Sequence, residues 1–401
     1  MQETSSWLDN LKLRASVGQQ GNDNLYDNDG YRMYTPYTNL YSVGSDGAHS
    51  TFSSSFMGNP DITWEKNLNV SAGLETSLFN HRLNVELDFF MRHTSDMLFN
   101  EPVSKTTGFT FQPKNIGSMR NTGFEFNVSG TVVRTEDVML TLGVNGMTYK
   151  NKILALPERF KENGLSSGVR ILKEGGGIYD IYQVKYAGVN PENGDALFYK
   201  HNDTAPEKRK EGEEDFIIVG SDKYRSELRD RQFIGSAIPK LEGGFFANLN
   251  AYGFDLGLQF TYRWGGLIYD NGYSSLMHSG GTGESAHAWH KDILNRWTPE
   301  NRNTNVPRLQ TNNQKLLSGS DMFILDASYL SLSNITLGYT LPQKWTKPLG
   351  LQAVRLYGVG DNLFLLSQRK GLDPRTSLSG ASAGHRTSAI RTISGGVSIT
   401  F

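Results

Sequence analysis

The sequence predicts an all-β chain whose antiparallel strands run up and down as part of the wall of a transmembrane β-barrel. Three observations carry that expectation. Apolar and polar residues alternate with period two in segment after segment, as in strands with one apolar face. One polar face, with Arg82, Glu86, Asp88 and Arg92, holds too many charged side chains for the dry core of a sandwich. The connections alternate between short turns and long loops, the asymmetry of an outer-membrane barrel, and about ten spans can be counted.

Composition agrees. The 401 residues contain 43 Gly, 11% aromatic residues and no Cys, which excludes a disulfide scaffold and a thiolate metal site. The formal net charge of -1 gives no electrostatic case for nucleic acid as a partner. Mean hydropathy is -0.46. No run approaches the ~18 apolar residues of a membrane helix, which leaves a barrel open because its strands are only half apolar.

The first span, Leu11 to Val17, alternates and is expected to end at Gly18, where a polar region rich in Asn, Asp, Gly, Ser and Tyr opens and runs as one long loop to about Trp64. From residue 67, Leu68, Val70, Ala72 and Leu74 face one way and Asn69, Ser71, Gly73 and Glu75 the other. After a short turn at Leu78-Phe79-Asn80-His81, Leu83, Val85, Leu87, Phe89 and Met91 oppose Arg82, Asn84, Glu86, Asp88 and Arg92. A second pair places Phe124, Phe126 and Val128 against Glu125, Asn127 and Ser129, then returns over residues 138–149 with Leu140, Leu142 and Val144 outward.

Residues 150–240 read as a very long excursion, with a Gly-rich piece at Gly175-Gly176-Gly177, a hairpin over residues 178–200 and a highly charged stretch. Loops of this length count against a compact soluble domain. The third pair turns tightly at Ala251-Tyr252-Gly253, with Phe254, Leu256, Leu258, Phe260, Tyr262 and Trp264 opposing Asp255, Gly257, Gln259, Thr261 and Arg263. That unbroken apolar face ends in Tyr and Trp, as an aromatic girdle does. A long loop with a short helix over residues 285–297, two more spans (331–341 and 351–364) and a last loop lead to the terminal strand. There Ile393, Gly395, Val397, Ile399 and Phe401 share a face. Alone, this strand fits a barrel wall or the half-buried end of a soluble sandwich; its terminal Phe401 resembles the C-terminal strand of outer-membrane barrels.

The segments between the spans resemble a known family. Gly58-Asn59-Pro60-Asp61-Ile62-Thr63-Trp64-Glu65-Lys66, Asn115-Ile116-Gly117-Ser118-Met119-Arg120-Asn121-Thr122-Gly123-Phe124-Glu125 and Tyr186-Ala187-Gly188-Val189-Asn190-Pro191 are similar to SusC/RagA-like TonB-dependent outer-membrane transporters. So, in the family's order, are Gly235-Ser236-Ala237-Ile238-Pro239-Lys240, Arg296-Trp297-Thr298-Pro299-Glu300-Asn301, Leu337-Gly338-Tyr339-Thr340-Leu341-Pro342, Asp361-Asn362-Leu363-Phe364 and Gly371-Leu372-Asp373-Pro374. His385-Arg386-Thr387-Ser388-Ala389-Ile390 lacks the Tyr-Pro expected before the last strand. The resemblance implies the C-terminal portion, residues 1–401, of a closed barrel of about 22 strands. A signal peptide is expected to lie outside this stretch, because the start shows no basic region followed by an apolar one, and set against the resembled family the TonB box, the plug and roughly the first half of the barrel are expected to lie outside it too. The implied partners are a SusD-like surface lipoprotein, the TonB complex through the N-terminal part, outer-membrane lipid, and an oligosaccharide or peptide substrate.

On this reading Arg82, Glu86, Asp88, Glu125, Asp255, Gln259 and Arg263 line the path, and the loop tyrosines Tyr31, Tyr34, Tyr179 and Tyr182 are candidates to stack on a ligand. Phe401 is the candidate barrel-assembly signal. No catalytic residue, metal or cofactor is expected. Gly164-Leu165-Ser166-Ser167-Gly168 matches a nucleophile elbow literally, but no apolar strand precedes it and no helix pattern follows. His287 and His290 with Glu284 lack the metalloprotease spacing. Asp27-Asn28-Asp29-Gly30 lacks a Glu at the twelfth calcium-loop position. Lys208-Arg209-Lys210 is followed by Glu211, Glu213 and Glu214 and reads as a mixed solvated loop. Two alternatives stay open: a small outer-membrane barrel enzyme, needing acids and His clustered at loop-side strand ends, and a soluble surface glycan-binding β-protein, needing a second sheet over the face from Phe254 to Trp264.

Overall fold

A computed structural model describes residues 7–26, 30–47, 49–204, 214–221, 227–279, 288–310, 317–382 and 388–401. Ten strands form one antiparallel sheet in which each pairs with its neighbours in sequence. They are β1 (Leu8–Asn22), β2 (Glu65–Leu78), β3 (Leu83–Ser95), β4 (Ser118–Arg134), β5 (Val138–Ala155), β6 (Leu241–Ala251), β7 (Phe254–Trp264), β8 (Tyr329–Thr340), β9 (Ala353–Ser367) and β10 (Thr392–Thr400). All short connections lie at one end of the sheet and all long loops at the other, as the spacing predicts. The tightest turn, Tyr252-Gly253, has positive φ at both residues (50° and 87°), the conformation whose twist matches an antiparallel hairpin. Only Gly or a residue tolerant of the left-handed region serves there.

Period two sets the two faces. Leu258 lies opposite Ala247 and Ile335 on the outer face, while Gln259 opposes Phe246 and Asn334 on the inner one. Many outer side chains are left open by the protein: Leu13 is 76% exposed, Ile393 79% and Leu337 53%. A second sheet, as a sandwich would require, does not cover this face among the described residues. Such a surface calls for lipid. The outer edges of β1 and β10 carry no ladder partner among the described residues.

The buried apolar cores sit in the long loops instead. Tyr269, Met277, Ile293, Val306 and Phe323 form one cluster; Val184, Ala196 and Phe198 form a second; Ile268, Ala327 and Leu372 form a third. The loops are thus a folded cap with their own small sheets rather than loose connections.

Several local expectations need correction. β1 does not stop at Gly18; it continues to Asn22, because Gly18 pairs with Asn69 and a strand accommodates an isolated glycine in register. The following loop contains a hairpin, Leu40–Ser45 against Ser50–Phe56. β5 extends past residue 149 to Ala155. The hairpin expected over residues 178–200 divides: Asp180–Gln183 pairs with Gln232–Ser236, and only Tyr186–Val189 pairs with Ala196–His201. Of the helix expected over residues 285–297, the described part holds a five-residue 3-10 helix, Lys291–Asn295; a short α-helix lies earlier, at Asn271–Leu276, capped by the Asp270 carboxylate accepting from the Tyr273 N–H.

Candidate functional site

The inner face is a polar ladder. Across β1, β2 and β3, the Arg14 guanidinium donates to Glu86 Oε1 and Asp88 Oδ2, each at 2.8 Å, and lies 3.9 Å from Glu75. Glu75 and Glu86 face each other directly, so without that cation two like charges would oppose across the strands. Arg14 reaches Asp88 by passing over Gly73, where a Cβ would stand 2.1 Å from Asp88 Oδ1. The same device recurs across β7, β8 and β9: Arg355 Nε donates to Asp255 at 2.8 Å over Gly338. Arg263 pairs with Glu242 at 2.9 Å beneath the Tyr329 ring. Hydroxyl and amide pairs such as Ser16 with Ser71, Asn151 with Asn121 and Asn334 with Asp361 continue the ladder.

Some of these side chains border two adjoining recesses. One, of 450 Å³, is lined by Glu86, Asp88, Glu125, Asn127 and Glu242. The other, of 730 Å³, has Phe90, Arg92, Glu125, Tyr149 and Arg263 on the sheet side and Tyr179, Ala237, Pro239 and Leu378 from the loop cap. Phe90 lies over Gly123, where a Cβ would come within 2.4 Å of the ring, so a small residue lets the aromatic lie flat against the wall. The recess therefore offers aromatic and apolar surface beside both signs of charge.

Most of the residues expected to line the path share this face, but only Glu86, Asp88, Glu125 and Arg263 border the recesses. Glu86, Asp88 and Asp255 are ion-paired, Arg263 is nearly buried under its partner, and Glu125 and Gln259 stand exposed on the inner face. Arg82 does not join them: it sits in the turn after β2, where its backbone bonds to Phe79 and Thr131 hold the chain, because the strand begins one residue later than the alternation suggested. Tyr179 borders the larger recess with Arg170 over its ring at 5.7 Å. Tyr182 instead packs edge-on against Phe233 under Lys173, and burial pushes its phenol pKa up. Tyr31 and Tyr34 lie far out on the first loop, 73% and 79% exposed. Phe401 follows the last paired residue and is exposed.

Sequence reasoning missed Arg14, Glu75, Glu242 and Arg355, the partners that fix the carboxylates and Arg263, as well as Phe90, Tyr149 and Leu378. Arg14 and Arg355 were readable as inner-face positions of their own strands; Leu378, a loop contact, left no periodic signal. Ser166 lies in a short hairpin, Leu165–Ser167 against Arg170–Leu172, with Arg231 3.5 Å away, and not at a strand-to-helix elbow. His290 accepts from the Asp292 N–H, and the described residues contain no group of three metal-ligating side chains. Glu284, His287, residues 27–29, the basic cluster at 208–210 and residues 385–387 lie outside the described residues.

An uncovered apolar outer face, an ion-paired inner face and a folded loop cap at one end together define the wall of a membrane β-barrel receptor. The chain belongs to the TonB dependent receptor-like β-barrel family, whose model matches residues 5–364. It is 30% identical over 384 residues to TonB-dependent receptor P3 of Formosa agariphila, an alignment covering 93% of this chain and 36% of that protein. It is 26% identical to TonB-dependent receptor SusC of Bacteroides thetaiotaomicron, over 92% of this chain and 35% of SusC. The RagAB peptide transporter structure superposes with a TM-score of 0.82 at 27% identity, over 100% of this chain and 42% of the matched chain. The chain thus spans between a third and under half of the length of these relatives. They are receptors and transporters, not enzymes.

Proposed function

We propose that this chain forms part of the barrel of a SusC/RagA-type transporter in the Gram-negative outer membrane, as its C-terminal portion, and that its inner recess lies on the path of an oligosaccharide or peptide. The observation that supports this reading most is the 730 Å³ recess between wall and loop cap, where Phe90 and Tyr149 stand beside Arg92 and Glu125. Flat rings stack on sugar faces or apolar side chains, and the two charges orient a polar ligand. Glu86, Asp88, Asp255, Gln259 and Arg263 set the polarity of the path, and Tyr31, Tyr34 and Tyr179 supply contacts on the loop side. A SusD-like lipoprotein would cover the loops, and the TonB complex would act through a plug and TonB box outside this stretch. Phe401 would serve barrel assembly.

The test is ligand binding by the complete transporter against panels of oligosaccharides and oligopeptides. Tyr149→Ala and Glu125→Gln are expected to weaken the ligand that binds by about tenfold each. Unchanged binding and uptake in both variants would remove the recess from the path.

A further inference from the structure

On the outer face, the apolar band of β2 to β5 gives way toward the long-loop end to a basic cluster. Asn121 and Tyr149 border the inner recess, so Arg120, Lys150 and Lys152, next to them in sequence or one step beyond, point outward. In the register Arg120 lies directly opposite Lys152 and His93, and Lys150 opposes Thr122. All three cations are exposed. Among the described residues none of their side chains makes a hydrogen bond or an ion pair, and no residue opposite or diagonal to Arg120 on the outer face is acidic. The neighbouring Lys66, by contrast, is already paired with Asp96 at 2.8 Å.

We infer that Arg120, Lys150 and Lys152 bind the phosphate of an outer-leaflet lipid headgroup. The position supports it. Phe124, the last apolar outer residue of β4 before Thr122 and Arg120, marks the edge of the hydrocarbon. Four residues of strand rise ~13 Å, or ~9 Å along the bilayer normal at a tilt of ~45°. That carries the guanidinium from the hydrocarbon edge into the headgroup layer, and the lysine stems can snorkel to the same level. Tyr262 and Trp264 close the apolar band on β7, and the Lys240 ammonium stands 5.6 Å from the Trp264 ring, the aromatic and basic pairing of a membrane interface. Three uncompensated cations on one surface leave a positive charge that a phosphate diester or monoester neutralises, with the Arg fork taking two oxygens.

The inference rests on the membrane-barrel reading but not on any substrate. Its test uses the complete barrel in detergent, stripped of lipid, with diphosphoryl lipid A, the same lipid without phosphates, and inorganic phosphate as probes in native mass spectrometry. The wild type should retain diphosphoryl lipid A. Replacing Arg120, Lys150 and Lys152 by Gln should weaken retention on the order of a hundredfold, and Arg120→Gln alone about fivefold, with the heat-modifiable folded band unchanged. Equal retention by wild type and variants would overturn the inference. So would equal retention of the dephosphorylated lipid, or displacement of lipid by inorganic phosphate at equal concentration, which would mark a general anion site. Absence of substrate uptake by the wild type, with its phosphate-dependent lipid retention intact, would count against the transport reading alone.

Discussion

Gly338→Ala should loosen the barrel wall through a contact two strands wide. The added Cβ would stand 2.4 Å from Asp255 Oδ1 and 2.5 Å from Arg355 Nη2, well inside van der Waals contact. The ion pair must then open or the strand must shift. Both partners are about a third exposed, so solvent screens the pair and its opening adds little. Displacing a well-packed neighbour adds ~1–3 kcal/mol. That displacement cost, about 1–3 kcal/mol, is readable as a lower urea midpoint for the complete barrel unfolding from lipid vesicles. The decisive comparison is the same substitution in an Asp255→Ala, Arg355→Ala background, where the space is vacant and the penalty should fall below ~0.5 kcal/mol. Equal penalties in both backgrounds would refute the reasoning and place the strain in the backbone.

Other outcomes follow from the same faces. Leu258→Arg, on the lipid side between Ala247 and Ile335, should cost ~2–4 kcal/mol of barrel stability if it lies near the midplane, whereas Gln259→Arg on the inner face should cost little. In the last loop, burial alone would raise the Asp373 carboxyl, but the Arg375 fork and backbone N–H bonds outweigh it and hold its pKa below the usual carboxylate value. A depressed folded value gives stability that is full above the unfolded pKa of ~3.9 and is lost as pH falls through the folded value. The hydrogen-exchange protection of residues 368–382, corrected for intrinsic exchange, should therefore fall on acidification below about pH 4, and Asp373→Asn should flatten that dependence. Deleting Phe401 should lower the yield of the heat-modifiable folded form of the complete protein, without changing the unfolding midpoint of the fraction that folds.

Strands and faces were legible because alternation is a local property. Residues 254–264 show it without interruption, and their bounds and faces emerge as expected. Ends were less legible: Gly18 looks like a stop, yet β1 runs through it because pairing with β2 outweighs the weak local preference of one glycine. Arg82 was misplaced for a related reason, since alternation cannot tell the last turn residue from the first strand residue. Partners lay further out of reach. Arg14 and Asp88 are 74 residues apart, and their meeting depends on the register of three strands at once. The loop cores, such as Tyr269 against Phe323, arise from contacts between irregular segments that carry no period to read.

The pairs that straddle Gly73 and Gly338 have a consequence for assembly. Each joins two strands across a third, and each requires a residue without a side chain at one position of the strand between. Sliding any of the three by a single residue would turn the charge toward lipid or bring a bulky side chain into the gap. Each trio is a three-point key that accepts one alignment, so stagger is checked over a wider span than adjacent hydrogen bonds can check it. Among relatives, the glycine and its two charged companions should be gained and lost together.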